Sequence, residues 1–263
     1  TAYTPWEWQP KLKQLAEELG LIFFSTPFDK SSVDFLENIS VPAYKIASFE
    51  IVDIPLIEYA ASKGKPIIIS TGIATEEEIR DAVDACKRVG NDQIALLKCT
   101  SEYPAQIEDA NLKMIPLFAL KFNVVAGLSD HTLSTTVPIA AAAMGARIIE
   151  KHFILDKKIG GPDSSFSLEP AEFKKMVDEI RQVEKAFGRV SFELSDKIKK
   201  SRTFARSLFA VMDIAAGEVF TENNIRSIRP SHGLAPKYLK DILGKKASAD
   251  IEKGTPLSRD LIA

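Results

Sequence analysis

Up to residue 153, near-continuous apolar runs of strand length alternate with helical patterns. The runs are 21–26, 43–47, 66–70, 94–99, 124–128 and 147–153. A half-buried strand alternates apolar with polar residues. One that is apolar at nearly every position is buried on both faces, as in a covered parallel sheet. The intervening segments carry helix signals. Thr75 ahead of Glu76, Glu77 and Glu78 forms a capping box, and Ile79, Ala82, Val83 and Cys86 then mark one helical face. Pro55 suits the first turn of a helix to Lys63, with Gly64 beyond its end. Pro10 opens a helix that ends at Gly20, and Glu169-Pro170 opens a long one with an apolar stripe from Phe173 to Phe187.

Repeated strand–helix units predict an α/β fold, specifically a (β/α)8 TIM barrel. Six strands are legible where such a barrel has eight, and the first element is the helix at 10–20. Two strand–helix units, about 60–80 residues, are therefore expected upstream of Thr1, making this an N-terminally incomplete barrel. The alternative is an open, doubly wound sheet. After Gly188 the texture changes. The division expected is a barrel domain at 1–190, a polar and basic linker at 191–205, and a small β domain at 206–263. The last contains short runs at 207–212, 219–221, 225–229 and 246–250, separated by turn formers such as Ala216-Gly217-Glu218 and Lys253-Gly254-Thr255.

Composition excludes several function classes. The 263 residues carry a net charge of −2, so no basic footprint for nucleic acid or an anionic membrane is present. No apolar run is long enough to span a bilayer, and no signal peptide is expected. Cys86 and Cys99 lie in apolar patterns and are expected to be buried free thiols in a reducing cytoplasm.

The strand ends are polar. They read Ser25-Thr26, Lys45-Ile46-Ala47-Ser48, Ser70-Thr71-Gly72, Lys98-Cys99-Thr100-Ser101, Ser129-Asp130-His131-Thr132 and Glu150-Lys151-His152. In a barrel these ends converge on the face that holds active sites. Hydroxyls and lysines beside helix N-termini make a phosphate cradle. Two of the three histidines, His131 and His152, stand 21 residues apart at matching strand ends, where paired imidazoles can hold a divalent metal. Strand parity puts Ser129 with His131 and Glu150 with His152 on one face, and Asp130 and Lys151 on the other. Glu150 is thereby expected to orient His152. Taken singly, each of these residues has a plain structural reading; the agreement among six strand ends is what points to a site.

These motifs resemble the sialic acid synthases, which condense phosphoenolpyruvate with an amino sugar. The likeness rests on Phe24-Ser25-Thr26-Pro27-Phe28, Tyr44-Lys45-Ile46-Ala47-Ser48, Ser70-Thr71-Gly72, Cys99-Thr100 with Tyr103-Pro104, Leu128-Ser129-Asp130-His131-Thr132, Glu150-Lys151-His152-Phe153 and Gly161-Pro162-Asp163. From Arg206 to Glu218 the tail resembles that family's antifreeze-like (SAF) domain. Ala47-Ser48-Phe49-Glu50 and the segment 231–246 look most like the pseudaminic acid synthase branch.

The resemblance implies a divalent metal (manganese, magnesium or cobalt) on His131 and His152. It implies phosphoenolpyruvate held by Thr26, Lys45, Ser48, Ser70, Ser101 and Ser129, with Tyr103 and Asp163 touching the sugar. It also implies a domain-swapped homodimer in which Arg229 reaches the partner subunit's site. At 101 the family has Asn or Ser, and where it usually reads Pro-Gly-Asn-Gly this chain has Pro230-Ser231-His232-Gly233. The implied reaction joins phosphoenolpyruvate to an N-acetylated amino sugar, 2,4-diacetamido-2,4,6-trideoxy-altrose, giving the nonulosonic acid pseudaminic acid and phosphate. N-acetylneuraminate or legionaminate synthesis is the near alternative. A Schiff-base aldolase using Lys45, Lys98 or Lys151, or a non-catalytic sugar-binding module, is the remote one.

Overall fold

The computed structural model describes residues 4–263. The chain divides into two compact units, Thr1–Gly188 and Arg189–Ala263. The first is built on a parallel five-stranded sheet: β1 (Tyr44–Ile46), β2 (Ile67–Ser70), β3 (Ile94–Cys99), β4 (Val125–Asp130) and β5 (Ile148–Lys151). Around it run α1 (Gln9–Glu18), α2 (Lys30–Asn38), α3 (Ile54–Ala61), α4 (Glu76–Arg88), α5 (Met114–Phe122), α6 (Thr136–Ala143) and α7 (Pro170–Phe187).

The strands pair in chain order, β1 to β5, without the reversal that defines a doubly wound sheet. The two faces differ in the same sense. Tyr44, Ile46, Ile67, Ile69, Leu96, Ala126 and Leu128 pack against helical residues including Leu56, Ala82, Val83 and Phe118. Ile68, Ala95, Leu97 and Ile148 form a smaller cluster on the other face, with no helical residue in it. Helices thus cover one side of a curled sheet, and the other side is the concave interior of a TIM-barrel arc. Gly127 lets that interior close, because a Cβ there would sit 2.4 Å from the Ile148 carbonyl oxygen and 2.6 Å from Leu97 Cδ2.

Helix ends follow local chemistry. The Thr75 side chain accepts from the Glu78 N–H while Glu78 accepts from the Thr75 N–H at 2.7 Å, a reciprocal cap. Glu169 and Glu172 do the same for α7, and Gly188 beyond it takes a left-handed φ of 54°. One expected element differs. The run 21–26 makes no strand: only Ser25 bridges Tyr44, with Lys45 N–H donating to the Ser25 carbonyl. Leu21 and Ile22 remain 60% and 78% exposed. A segment that pairs on one side and finds no apolar cover stays extended without forming a ladder.

In the second unit β6 (Ser207–Ala210) pairs antiparallel with β7 (Ile225–Ile228). Bridges Ile214–Ile251, Val219–Lys246 and Ala247–Ile262 close it around Leu208, Ala210, Phe220, Ile225 and Leu257. The polar stretch read as a linker holds a short helix, α8 (Asp196–Ser201), capped by the Ser195 hydroxyl, and α9 (Leu239–Ile242) follows later. Among the described residues no helix is long and apolar enough to cross a membrane.

Candidate active site

Lys45, Ser70, Cys99, Ser129 and Glu150 are the inward-facing residues near the carboxyl ends of β1 to β5. The register sets them side by side, with Cys99 opposite Ser129 and Ser129 opposite Glu150. Lys45 Nζ donates to Ser70 Oγ at 2.8 Å and lies 3.5 Å from Glu150 Oε2. Ser129 Oγ donates to Glu150 Oε1 at 2.5 Å. Next to them, Ser101 Oγ donates to Ser48 Oγ at 2.8 Å, and Ser48 Oγ also accepts from the Ile73 N–H at 3.1 Å. Gly72 keeps this corner open, since a Cβ there would meet Ser101 Oγ at 2.1 Å and Ser48 Oγ at 2.7 Å. The result is a nearly buried ammonium surrounded by hydroxyls, suited to an anion such as phosphate or carboxylate.

His131 and His152 follow β4 and β5 by one residue each, with ring centroids 5.2 Å apart. His131 is buried, and its Nδ1 lies 2.8 Å from the Thr100 carbonyl oxygen. A carbonyl only accepts, so Nδ1 carries the proton and Nε2 keeps its lone pair. Burial pushes the His131 pKa down and so favours the neutral ring, while the Thr100 hydrogen bond acts in the opposite sense. The Tyr103 ring lies tilted by 48° against His131 with centroids 4.3 Å apart, and its hydroxyl pKa is raised by burial. Asp163 Oδ2 lies 3.7 Å from His152 Nδ1. A neutral imidazole with a fixed tautomer, a second imidazole and nearby carboxylates form a donor set that fits a divalent cation. Among the described residues no cluster of three or more His, Cys, Asp or Glu is preassembled for one, so water or substrate would supply the remaining ligands.

The structure therefore brings together Lys45, Ser48, Ser70, Ser101, Ser129, Glu150, Tyr103, His131, His152 and Asp163. Glu150 serves a different neighbour from the one expected: its oxygens engage Ser129 and Lys45, while Asp163 stands beside His152. Thr26 follows the Ser25 bridge and lines a cavity with Trp6, Gln9, Ser32 and Phe35. Arg229 and the exposed His232 belong to the second unit, just past β7.

Two residues were not singled out for the site in the sequence. Cys99 lines its floor, 3.8 Å from Ser101 Oγ. Phe166 is buried against His152 at 4.9 Å and Tyr103 at 5.5 Å. The signal for Phe166 is tertiary. The loop after β5 folds back, with the Leu168 N–H donating to the His152 carbonyl at 2.8 Å, and so delivers Phe166 to the imidazoles.

The lysines separate the rival chemistries. Lys98, whose pKa is lowered by burial, has its Nζ at the Cys99 and Asp109 carbonyls, and its position in β3 shares the helix-covered face of Leu96. Lys151 is locked to Asp130. Of the three lysines only Lys45 belongs to the inward-facing set, and there its Nζ is engaged by Ser70 and Glu150.

The NeuB family pattern matches residues 1–191, and the SAF domain pattern matches residues 205–263. The chain belongs to the NeuB family. It is 51% identical over 260 residues to pseudaminic acid synthase of Helicobacter pylori, covering 98% of this chain and 76% of that protein. It is 40% identical over 251 residues to N,N'-diacetyllegionaminic acid synthase of Legionella pneumophila, covering 94% of this chain and 70% of that protein. Among solved structures, spore coat polysaccharide biosynthesis protein spsE of Bacillus subtilis aligns with a TM-score of 0.68 at 37% identity, covering 99% of this chain and 78% of that one.

Proposed function

We propose that this protein condenses phosphoenolpyruvate with an open-chain N-acetylated amino sugar to give a nonulosonic acid and phosphate. The amino sugar is 2,4-diacetamido-2,4,6-trideoxy-altrose and the product pseudaminic acid. The observation that carries this reading is the Lys45–Ser70–Ser129–Glu150 group set beside two imidazoles on one barrel rim. The choice of sugar is supported by the greater identity to a pseudaminic than to a legionaminic acid synthase.

In this reading Lys45 and the hydroxyls of Ser48, Ser70, Ser101 and Ser129 hold the anionic groups of phosphoenolpyruvate. Glu150 fixes Lys45 and Ser129 so that they need not reorganise when the anion arrives. Thr26, one residue past the Ser25–Tyr44 bridge, is the further donor expected from the neighbouring segment. Tyr103 and Asp163 orient the sugar, and Phe166 keeps water from the apolar side of the imidazoles. A divalent cation held by His131 and His152 (manganese, magnesium or cobalt) would polarise the sugar aldehyde as a Lewis acid. The methylene carbon of phosphoenolpyruvate bonds to the aldehyde carbon. Positive charge develops at the enol-ether carbon, water adds there, and the tetrahedral intermediate expels phosphate by carbon–oxygen cleavage. The reaction is assigned to the cytoplasm, where phosphoenolpyruvate is made and where the buried free thiols Cys86 and Cys99 stay reduced.

The test is phosphate release with the altrose derivative and with N-acetylmannosamine. Preference for the first is expected; preference for the second overturns the choice of sugar.

A further inference from the structure

Behind the imidazoles, on the helix-covered face, Lys151 Nζ lies 2.5 Å from Asp130 Oδ2. Their side chains are 0% and 2% exposed. Neither residue touches the inward-facing group described above. The pair is nonetheless tied to the site at both ends, because Asp130 immediately precedes His131 and Lys151 immediately precedes His152. They are also direct register partners, the last pair of the β4–β5 ladder. Lys151 Nζ donates in addition to the Thr132 carbonyl. Asp130 accepts from the Thr132 N–H at 3.1 Å and from its hydroxyl at 3.2 Å. Two charges and both flanks of His131 are thus clamped where the regular ladder ends and strand geometry no longer holds the chain.

A buried ion pair is a poor way to gain stability, since desolvation offsets most of the attraction and an apolar pair of similar volume often does as well. In some proteins such a pair instead selects one arrangement. We infer that Asp130 and Lys151 are positioning residues that set the separation and orientation of His131 and His152 for cation binding. The inference rests on the reading of those imidazoles as metal ligands. It adds that their spacing is imposed from the opposite face of the sheet by a pair that itself touches neither metal nor substrate. Partners behind a ligand of this kind typically change metal affinity by about 10- to 100-fold when removed.

The test compares the wild-type protein with Asp130→Asn, which is isosteric, and with Asp130→Asn/Lys151→Met, which leaves no unpaired buried charge. His131→Ala serves as the control for the metal site itself. Manganese affinity is measured by titration, cobalt absorption spectra report ligand geometry, and a metal-free crystal structure of each folded variant reports the imidazole spacing. The expected result is manganese affinity about 10- to 100-fold weaker, an altered cobalt spectrum and a ring separation moved from 5.2 Å. Wild-type affinity, spectrum and spacing in either folded variant overturn it, and Asp130→Asn decides alone if the double variant does not fold. Wild-type manganese binding by His131→Ala would instead overturn the metal reading, an outcome separable from the first because the spacing is read without metal.

Discussion

Ser129 and Glu150 face each other across β4 and β5 with 2.5 Å between hydroxyl and carboxylate oxygen, and the second carboxylate oxygen of Glu150 reaches toward Lys45. One carboxylate thereby orients an alcohol and an ammonium that belong to different strands. Glu150→Gln keeps the shape and removes the charge. The expected result is a folded protein whose kcat/KM falls about 10- to 100-fold, roughly 1.4–2.7 kcal/mol of transition-state stabilisation. Steady-state kinetics with phosphoenolpyruvate varied would check it, and an unchanged kcat/KM would remove Glu150 from the site.

Gly72 predicts a binding defect. An alanine methyl would collide with the paired hydroxyls of Ser101 and Ser48. Gly72→Ala is expected to raise KM for phosphoenolpyruvate about tenfold or more by misplacing those donors. Gly72→Ala/Ser101→Ala, which deletes the nearer hydroxyl, should relieve the clash without restoring the contact. If Gly72→Ala leaves KM unchanged, the Ser48–Ser101 pair does not hold this substrate.

Cys86 predicts a pH dependence of stability. It is fully buried among α3 and α4 residues, and burial pushes its thiol pKa from 9.0 up to about 12. Between those values the unfolded thiol has lost a proton that the folded one keeps. Stability linked to this thiol is therefore complete below pH 9 and falls as pH rises toward 12, by up to about 1.4 kcal/mol per pH unit. Melting temperatures from pH 8 to 11 should fall more steeply for wild type than for Cys86→Ala. Parallel curves would show that the thiol ionises alike in both states.

Arg229 predicts complementation. If it serves the partner subunit's site in a swapped homodimer, Lys45→Met and Arg229→Ala chains are each inactive alone. Mixed and reassembled, they should regain about a quarter of wild-type activity from random pairing. No recovery would place Arg229 in its own chain's site or outside any site.

Much of the fold was legible because its signals are local. Thr75 with Glu78, Glu169 with Pro170, and the apolar runs around Ile68, Leu96 and Leu128 each announce an element within a few residues. Parity alone separated Ser129 and Glu150 from Asp130 and Lys151, and the hydrogen bonds follow that division. Three things were not legible. The run 21–26 has strand composition, but a ladder depends on its neighbours. α5 and α6 carry Pro116 and Pro138 within their first turns and short apolar sequences that no periodicity distinguishes from strand. Phe166 reaches the imidazoles through a loop closure set by backbone hydrogen bonds between Leu168, Ile154 and His152, which leave no mark in composition.

In the proposed reaction the strand-end group led by Lys45 grips phosphoenolpyruvate for condensation. Phosphate release from phosphoenolpyruvate with the altrose sugar, wild type against Lys45→Met, tests it most directly. The expected result is one phosphate per nonulosonic acid formed in wild type and, in a folded Lys45→Met protein, a rate lower by at least about 100-fold. Turnover by Lys45→Met at the wild-type rate would contradict it.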